Sequence, residues 1–216
     1  PRGWVPFDEG MIGQTAEWVL RGALPHVDYQ EPYTGGLTWL YAALFRIVGV
    51  DLVNVRWLLF AAASVSLVVM YAVVRRFLAP TGAALATWVA LAWSFPNYFA
   101  GLPSWWLLIC ALGCVWALFR HIETGLLRYA ALAGVLAGCA IVIKQTGVYL
   151  LLAVATSLLA GAKEQAQAVG TAGNLDRLLR FGVCACSLVF ATAIMSARLG
   201  LSEIAYLLVP IAASSL

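Results

Sequence analysis

The sequence predicts an all-α fold, a polytopic transmembrane helix bundle with interfacial helices in its first exoplasmic loop. Hydrophobic residues make up 63% of the 216 positions and charged residues only 11%, and the mean hydropathy is +0.90, which is outside the range of soluble domains. The acidic residues lie mostly before residue 52 or in short loops. We therefore predict an exoplasmic loop over 1–51 and a transmembrane bundle over 52–216.

Six apolar stretches are predicted as spans, because a bilayer core of about 30 Å needs roughly 20 apolar residues per helix, and somewhat fewer where neighbours pack around the ends. They cover residues 52–74, 83–99, 105–119, 129–143, 148–160 and 181–197. A last stretch, 204–216, is broken by Pro210 and is either a re-entrant piece or the start of another helix. Since the chain opens at Pro1 without Met and stops abruptly at Leu216, we expect a fragment of a longer protein.

The basic residues of the predicted loops define the sidedness of the bundle. Alternating the spans puts seven of them on one side: Arg75, Arg76, Arg120, Arg128, Lys163, Arg177 and Arg180. Cytoplasmic loops are enriched in Lys and Arg, so this side is predicted to be cytoplasmic and the segment before residue 52 exoplasmic.

Two elements of that first segment suit the membrane surface. Residues 9–21 predict an amphipathic helix, with an apolar face opposite Gln14, Glu17 and Arg21. Residues 37–48 are apolar and aromatic but too short to span, which is typical of an interfacial helix.

Asp8 and Glu9 are the strongest candidates for chemistry. A carboxylate at the bilayer surface could act as general base toward an acceptor hydroxyl, and Glu9 could orient Asp8 or help it to hold a divalent cation. The alternative is that both acids only stabilise the first turn of the amphipathic helix.

Lys144 interrupts two apolar stretches and is the second candidate. A lysine near membrane depth suggests a partner for a phosphate, whereas the alternative is a snorkelling lysine at the tip of a hairpin. A polar aromatic stretch before Gly35 either lines a sugar or phosphate pocket or forms an ordinary surface loop. Its candidate binding residues are Tyr29, Gln30, Glu31 and Tyr33.

Three further residues lie at the predicted outer ends of spans. Trp105 and Trp106 belong either to an aromatic belt or to a sugar-stacking surface. Arg56 is predicted to pair with Asp51 or to approach an anionic lipid head, mainly as a structural anchor.

Several classes of function are excluded or unsupported. The net charge of +3 is small and the basic residues are scattered, so no nucleic-acid partner is expected. The five cysteines lie in apolar stretches and are interpreted as small buried hydrophobes. There is no phosphate-binding Gly-Lys-Ser loop, no dinucleotide fingerprint and no zinc-protease His pair.

The order of these parts resembles the GT-C membrane glycosyltransferases of the dolichyl-phosphate-mannose protein mannosyltransferase type, including their bacterial family 39-like relatives. The resemblance rests on Asp8-Glu9-Gly10, Leu20-Arg21-Gly22, Leu24-Pro25, Asp28-Tyr29, the stretch 40–49, Arg56 and Lys144-Gln145-Thr146-Gly147. It implies that Asp8 is the catalytic base, with Glu9 as its motif neighbour. It also implies a multi-pass protein of the cell membrane whose active site faces outward.

The resemblance further implies the partners. They are a polyprenyl-phosphate sugar donor, membrane lipids, and a glycan, lipid or protein whose hydroxyl attacks with inversion. Relatives often carry a lysine where this chain has Gln30-Glu31-Pro32, so phosphate binding is expected to fall to Lys144 or Arg56. Relatives also often carry an acid where this chain has Ser104-Trp105-Trp106, which weakens the expectation of a two-carboxylate metal site.

Two other functions remain open at this stage. In a multi-spanning transporter or lipid flippase, Lys144 would line a substrate path and Asp8 would only stabilise a helix, although the sequence has neither an internal repeat nor paired broken helices. A non-catalytic assembly subunit would tolerate the loss of Asp8.

Overall fold

The computed structural model describes residues 6–94 and 100–168, and this part of the chain is all-helical. It contains no strand, only an isolated bridge between Pro25 and Tyr29. The seven helices are α1 (Pro6–Leu20), α2 (Gly36–Val48), α3 (Leu52–Val74), α4 (Pro80–Trp93), α5 (Pro103–Thr124), α6 (Leu127–Ile143) and α7 (Gly147–Ala168). The predicted all-α class is confirmed. The stretches 181–197 and 204–216 lie outside the described residues.

Two of the described helices, α3 and α5, are long and apolar enough to cross a membrane. Shorter apolar helices are Gly36–Val48, Leu127–Ile143 and Gly147–Leu159. The predicted span 52–74 coincides with α3, whose N-terminus is capped by the Asp51 carboxylate, 2.8 Å from the Val53 N–H. Pro80 and Pro103 begin α4 and α5 earlier than hydropathy predicted, because proline fits the first turn of a helix.

Helix α1 begins at Pro6, three residues before the predicted start. Asp8 and Glu9 therefore lie inside its first turn and not in front of it. Its buried face carries Ile12, Ala16 and Val19, which belong to one apolar cluster with Leu37 and other residues of α2. Leu20, which the apolar periodicity of residues 9–21 places on the same face, is 37% exposed. This packing fixes α1 on α2.

The bundle core lies where α5, α6 and α7 meet. Cys114 of α5 packs there with small residues of α6 and with larger apolar residues of α7. The α6 residues are Ala130, Ala133 and Ala137, all fully buried. Small side chains at such positions let helices approach closely, which is a common device in membrane bundles.

Contacts between helix termini define two ends of the bundle. At one end, Arg76 just after α3 pairs with Glu123 near the end of α5, 2.8 Å apart. At the other end, Lys144 after α6 contacts Ser104 at the start of α5, and Trp106 contacts Tyr41 of α2. We call these the basic end and the acidic end; α1 and α2 lie at the acidic end.

Candidate functional site

A buried ion pair connects the first turn of α1 to α3 at the acidic end. Glu9 is 4% exposed. Its Oε1 lies 2.8 Å from Arg56 Nε, and its Oε2 lies 2.6 Å from Arg56 Nη2. A carboxylate removed from water must be paired, and the planar guanidinium binds both oxygens at once. Residue 9 is thereby fixed relative to residue 56.

Asp8, the neighbour of Glu9, is partly exposed. The pair fixes the backbone that carries Asp8, while both Glu9 oxygens contact Arg56. No group of three or more His, Cys, Asp or Glu side chains in the described part of the chain could hold a metal ion. A divalent cation held by Asp8 and Glu9 stays a prediction.

The expected pairing of Arg56 with Asp51 is not what the structure has, because Arg56 binds Glu9 while Asp51 caps α3. Asp51 is five positions away and was favoured by sequence proximity alone. Glu9 is 47 positions away, and no local pattern in the sequence could have pointed to it.

Lys144 lies where α6 ends. Its backbone is extended, with φ −153° and ψ 137°, so the helix stops at Ile143. The Nζ lies 3.1 Å from Ser104 Oγ and 5.6 Å from the centre of the Tyr33 ring. A cation over an aromatic ring at this distance is attracted to the ring face. The structure thus brings together Lys144 and Tyr33, two of the predicted binding residues.

The other predicted residues of the 29–33 stretch border an open groove of about 890 Å³. Its lining consists of Met11, His26, Val27, Asp28, Tyr29, Gln30, Glu31 and Pro32. Among the described residues neither Lys nor Arg lines it, whereas two carboxylates do. Met11 lies one helical turn from Asp8, so the groove and the acidic pair share the same part of α1.

Two groups in this groove lack partners. His26 Nε2 and the Tyr29 hydroxyl are buried without a hydrogen-bond partner among the described residues. Tyr29 packs edge-on against Trp18, with ring centres 5.1 Å apart. Burial, and secondarily the charge of Glu31, raise the pKa of Tyr29 to about 12.

Glu31 is a partly buried carboxylate that is linked to α2. Its Oε2 accepts a hydrogen bond from Thr38 Oγ1 at 2.8 Å, and Thr38 in turn lies 3.5 Å from Thr15 Oγ1 of α1. Burial raises the pKa of Glu31, while the bonds from Thr38 and the Tyr33 N–H and the nearby His26 oppose that rise.

The two tryptophans have different surroundings. Trp106 Nε1 donates to the Tyr41 hydroxyl at 2.7 Å, and that hydroxyl donates to the Gly101 carbonyl at 2.7 Å. Trp105 packs against Leu59 and Ala63. Both rings contribute to the packing between α5 and its neighbours, and their role in sugar binding stays a prediction.

Sequence reasoning missed several residues of the acidic end. Ser104 contacts Lys144, and Thr38 contacts Glu31. Thr34 contacts the end of α6, just before Lys144. Single hydroxyl residues give no pattern in a sequence, so only their partners across the chain reveal them.

A family model described as dolichyl-phosphate-mannose-protein mannosyltransferase matches residues 36–171, well over half of the chain. This protein belongs to that family. No match was found among curated proteins or among solved structures. Membership makes the protein a membrane glycosyltransferase of the GT-C type, related to mannosyltransferases.

The region of this chain that matches the mannosyltransferase family begins at Gly36. It therefore includes Arg56, Trp105, Trp106 and Lys144 but not the first turn of α1. The role of Asp8 stays a prediction.

Proposed function

We propose that this protein transfers a sugar from a polyprenyl-phosphate donor to a hydroxyl of a glycan, lipid or protein acceptor, with inversion and with Asp8 as general base. Family membership supports the class of reaction. The observation that supports the base is the buried Glu9–Arg56 pair, which fixes the first turn of α1 and keeps the partly exposed Asp8 at the acidic end.

In the proposed reaction, the Asp8 carboxylate accepts the proton of the acceptor hydroxyl. The acceptor oxygen attacks the anomeric carbon from the face opposite the phosphate, forming the new glycosidic bond. The bond between the anomeric carbon and the phosphate oxygen breaks, and polyprenyl phosphate leaves with both electrons of that bond. General-base assistance of this kind is typically worth about 10²–10⁴ in rate.

Lys144 is the proposed partner of the donor phosphate. It is the cation beside Tyr33 at the acidic end, and Arg56 is already engaged by Glu9. In the part of the chain that the structure describes, no Lys or Arg lines the groove bordered by Tyr29, Gln30 and Glu31. Such a lining suits the hydroxyl groups of a sugar better than a phosphate, because carboxylates accept hydrogen bonds from hydroxyls and repel anions.

The proposed location is the cell membrane, with the acidic end on the exoplasmic side. Arg75, Arg76, Arg120 and Arg128 lie at or beside the opposite end of the bundle, and Lys and Arg concentrate in cytoplasmic loops.

Replacing Asp8 by Asn tests the base directly. The full-length Asp8→Asn protein, inserted in membranes that contain the acceptor, should release dolichyl phosphate from dolichyl-phosphate-mannose at least about 10²-fold more slowly than wild type. Asp51→Asn is the matched control, since Asn caps a helix as well as Asp does and Asp51 has no part in the reaction. Wild-type turnover by Asp8→Asn would reject Asp8 as the base.

A further inference from the structure

Residues 32–36 lie against the C-terminal end of α6, although more than a hundred positions separate them in sequence. Thr34 Oγ1 lies 2.9 Å from the Ile141 carbonyl oxygen, at a separation of 107 positions, and it also contacts the Val142 carbonyl. Gln145 Nε2 donates to the Pro32 carbonyl at 3.4 Å. The segment is therefore bonded to α6 at Thr34 and to Gln145, two residues beyond α6, at Pro32.

These contacts meet a requirement of the helix end. The last carbonyls of an α-helix have no partner inside the helix. In α6 the Ala140 carbonyl accepts the Lys144 N–H, and the Thr34 hydroxyl provides a donor for the next two carbonyls. Gly36 permits this approach, because a Cβ there would lie 2.3 Å from the Val142 oxygen.

The two bonded residues fix the position of Tyr33, which lies between them. Tyr33 is flanked by Pro32, which is bonded to Gln145, and by Thr34, which is bonded to the end of α6. The Tyr33 ring faces Lys144 Nζ at 5.6 Å from the ring centre. A lysine has a long flexible stem and no preferred geometry of its own. Its position is set by what surrounds the ammonium group, which here is Tyr33 on one side and Ser104 on the other.

We propose that Thr34 is a positioning residue for the donor phosphate: by bonding the end of α6, it holds the Tyr33 ring where it orients Lys144. The inference rests on the proposed function, in which Lys144 binds that phosphate. Thr34 itself touches no reacting atom. Its loss should therefore weaken donor binding and leave the chemical step nearly unchanged.

The test compares Thr34→Val, which keeps the shape and loses the hydroxyl, with Thr34→Ser, which keeps the hydroxyl. In the full-length protein, Thr34→Val should bind dolichyl phosphate about three- to tenfold more weakly, because Tyr33 no longer holds Lys144 in one position; the free energy of the lost hydrogen bond sets the upper limit of this factor. The KM for dolichyl-phosphate-mannose should rise by the same factor, with kcat changed less than about twofold. Thr34→Ser should restore both values.

Thr156→Val is the matched control. The Thr156 hydroxyl also bonds helix carbonyls, those of Leu152 and Ala153 at 2.9 and 3.0 Å, but within its own helix. It should bind dolichyl phosphate like wild type. Wild-type affinity in a membrane-inserted Thr34→Val protein would overturn the inference.

If Thr34→Val fails to accumulate in membranes, Gln145→Ala removes the other attachment without leaving a buried group unpaired. It should weaken dolichyl phosphate binding about twofold, and wild-type binding would overturn the inference. Wild-type binding by Lys144→Gln would also overturn it, by rejecting the phosphate role of Lys144. None of these binding results depends on Asp8, whose own test decides the glycosyl-transfer proposal.

Discussion

Two arginine–carboxylate pairs join distant parts of the described chain, one at each end of the bundle, and they differ in burial. Glu9–Arg56 and Glu123–Arg76 each join residues 47 positions apart. The Glu9 side chain is 3% exposed, whereas that of Glu123 is 43% exposed and also contacts Arg120. The same chemistry at the same sequence separation thus occurs in two different dielectric environments.

The difference in burial predicts which of the two pairs contributes more to stability. Removing one partner of a buried pair leaves the other charge out of water without compensation, which is costly. When one residue of an exposed pair is lost, water and salt ions replace it at little cost in free energy. The buried pair also lies beside the proposed base, so its loss should affect both stability and activity.

The largest effect is expected from Glu9→Gln. The substitution removes the charge of the buried Glu9 side chain and leaves the partly exposed Arg56 guanidinium without that partner, and we expect the free energy of unfolding to fall by about 1–3 kcal/mol. Sugar transfer should fall at least about tenfold although Asp8 is intact, because the first turn of α1 is no longer fixed. Thermal unfolding in detergent and the dolichyl-phosphate-mannose assay measure the two effects. Unchanged stability and turnover would show that the buried pair has no special role.

An intermediate effect is expected from Glu31→Gln, which keeps an acceptor for Thr38 but removes a charge. A raised pKa means that folding favours the protonated form, so the contribution of Glu31 to stability is lost as pH rises through its folded pKa. The variant should unfold about 1–3 °C higher than wild type at pH 7.5. The difference should shrink as the pH falls toward about 3, where a glutamate with the ordinary pKa of about 4.3 is protonated in the unfolded chain as well. A variant that is less stable at pH 7.5 would contradict the direction of the shift.

The smallest effect is expected from Glu123→Gln at the basic end. The Glu123 side chain is 43% exposed, so water can replace its carboxylate beside Arg76 and Arg120. We therefore expect the unfolding temperature to change by less than about 1 °C and turnover to stay at the wild-type level. Raising the salt concentration to about 1 M should have an equally small effect, because exposed pairs are screened. A loss as large as that of Glu9→Gln would mean that burial does not distinguish the two pairs.

The same contrast explains how much of the site was predictable. Asp8, Glu9, Arg56 and Lys144 were identified because charged residues are conspicuous in an apolar chain. Their partners were not identified. Glu9 and Arg56 come together through the packing of α1, α2 and α3, and Thr34 reaches the end of α6 only through tertiary packing of residues 107 positions apart. The start of α1 was placed too late because the apolar periodicity begins after the acidic pair.

The sequence by itself determined the class of the protein and most of its helices. Apolar composition leaves the backbone little choice but to bond within helices, and local signals such as Asp51, Pro80, Pro103 and Gly125 set where helices begin or end. These are interactions between near neighbours in the chain. The tertiary structure alone decided that Glu9 binds Arg56, that Tyr33 faces Lys144, and that one ion pair is buried while the other is exposed. Such pairings join distant residues, so they depend on how the helices pack and on how much water that packing excludes.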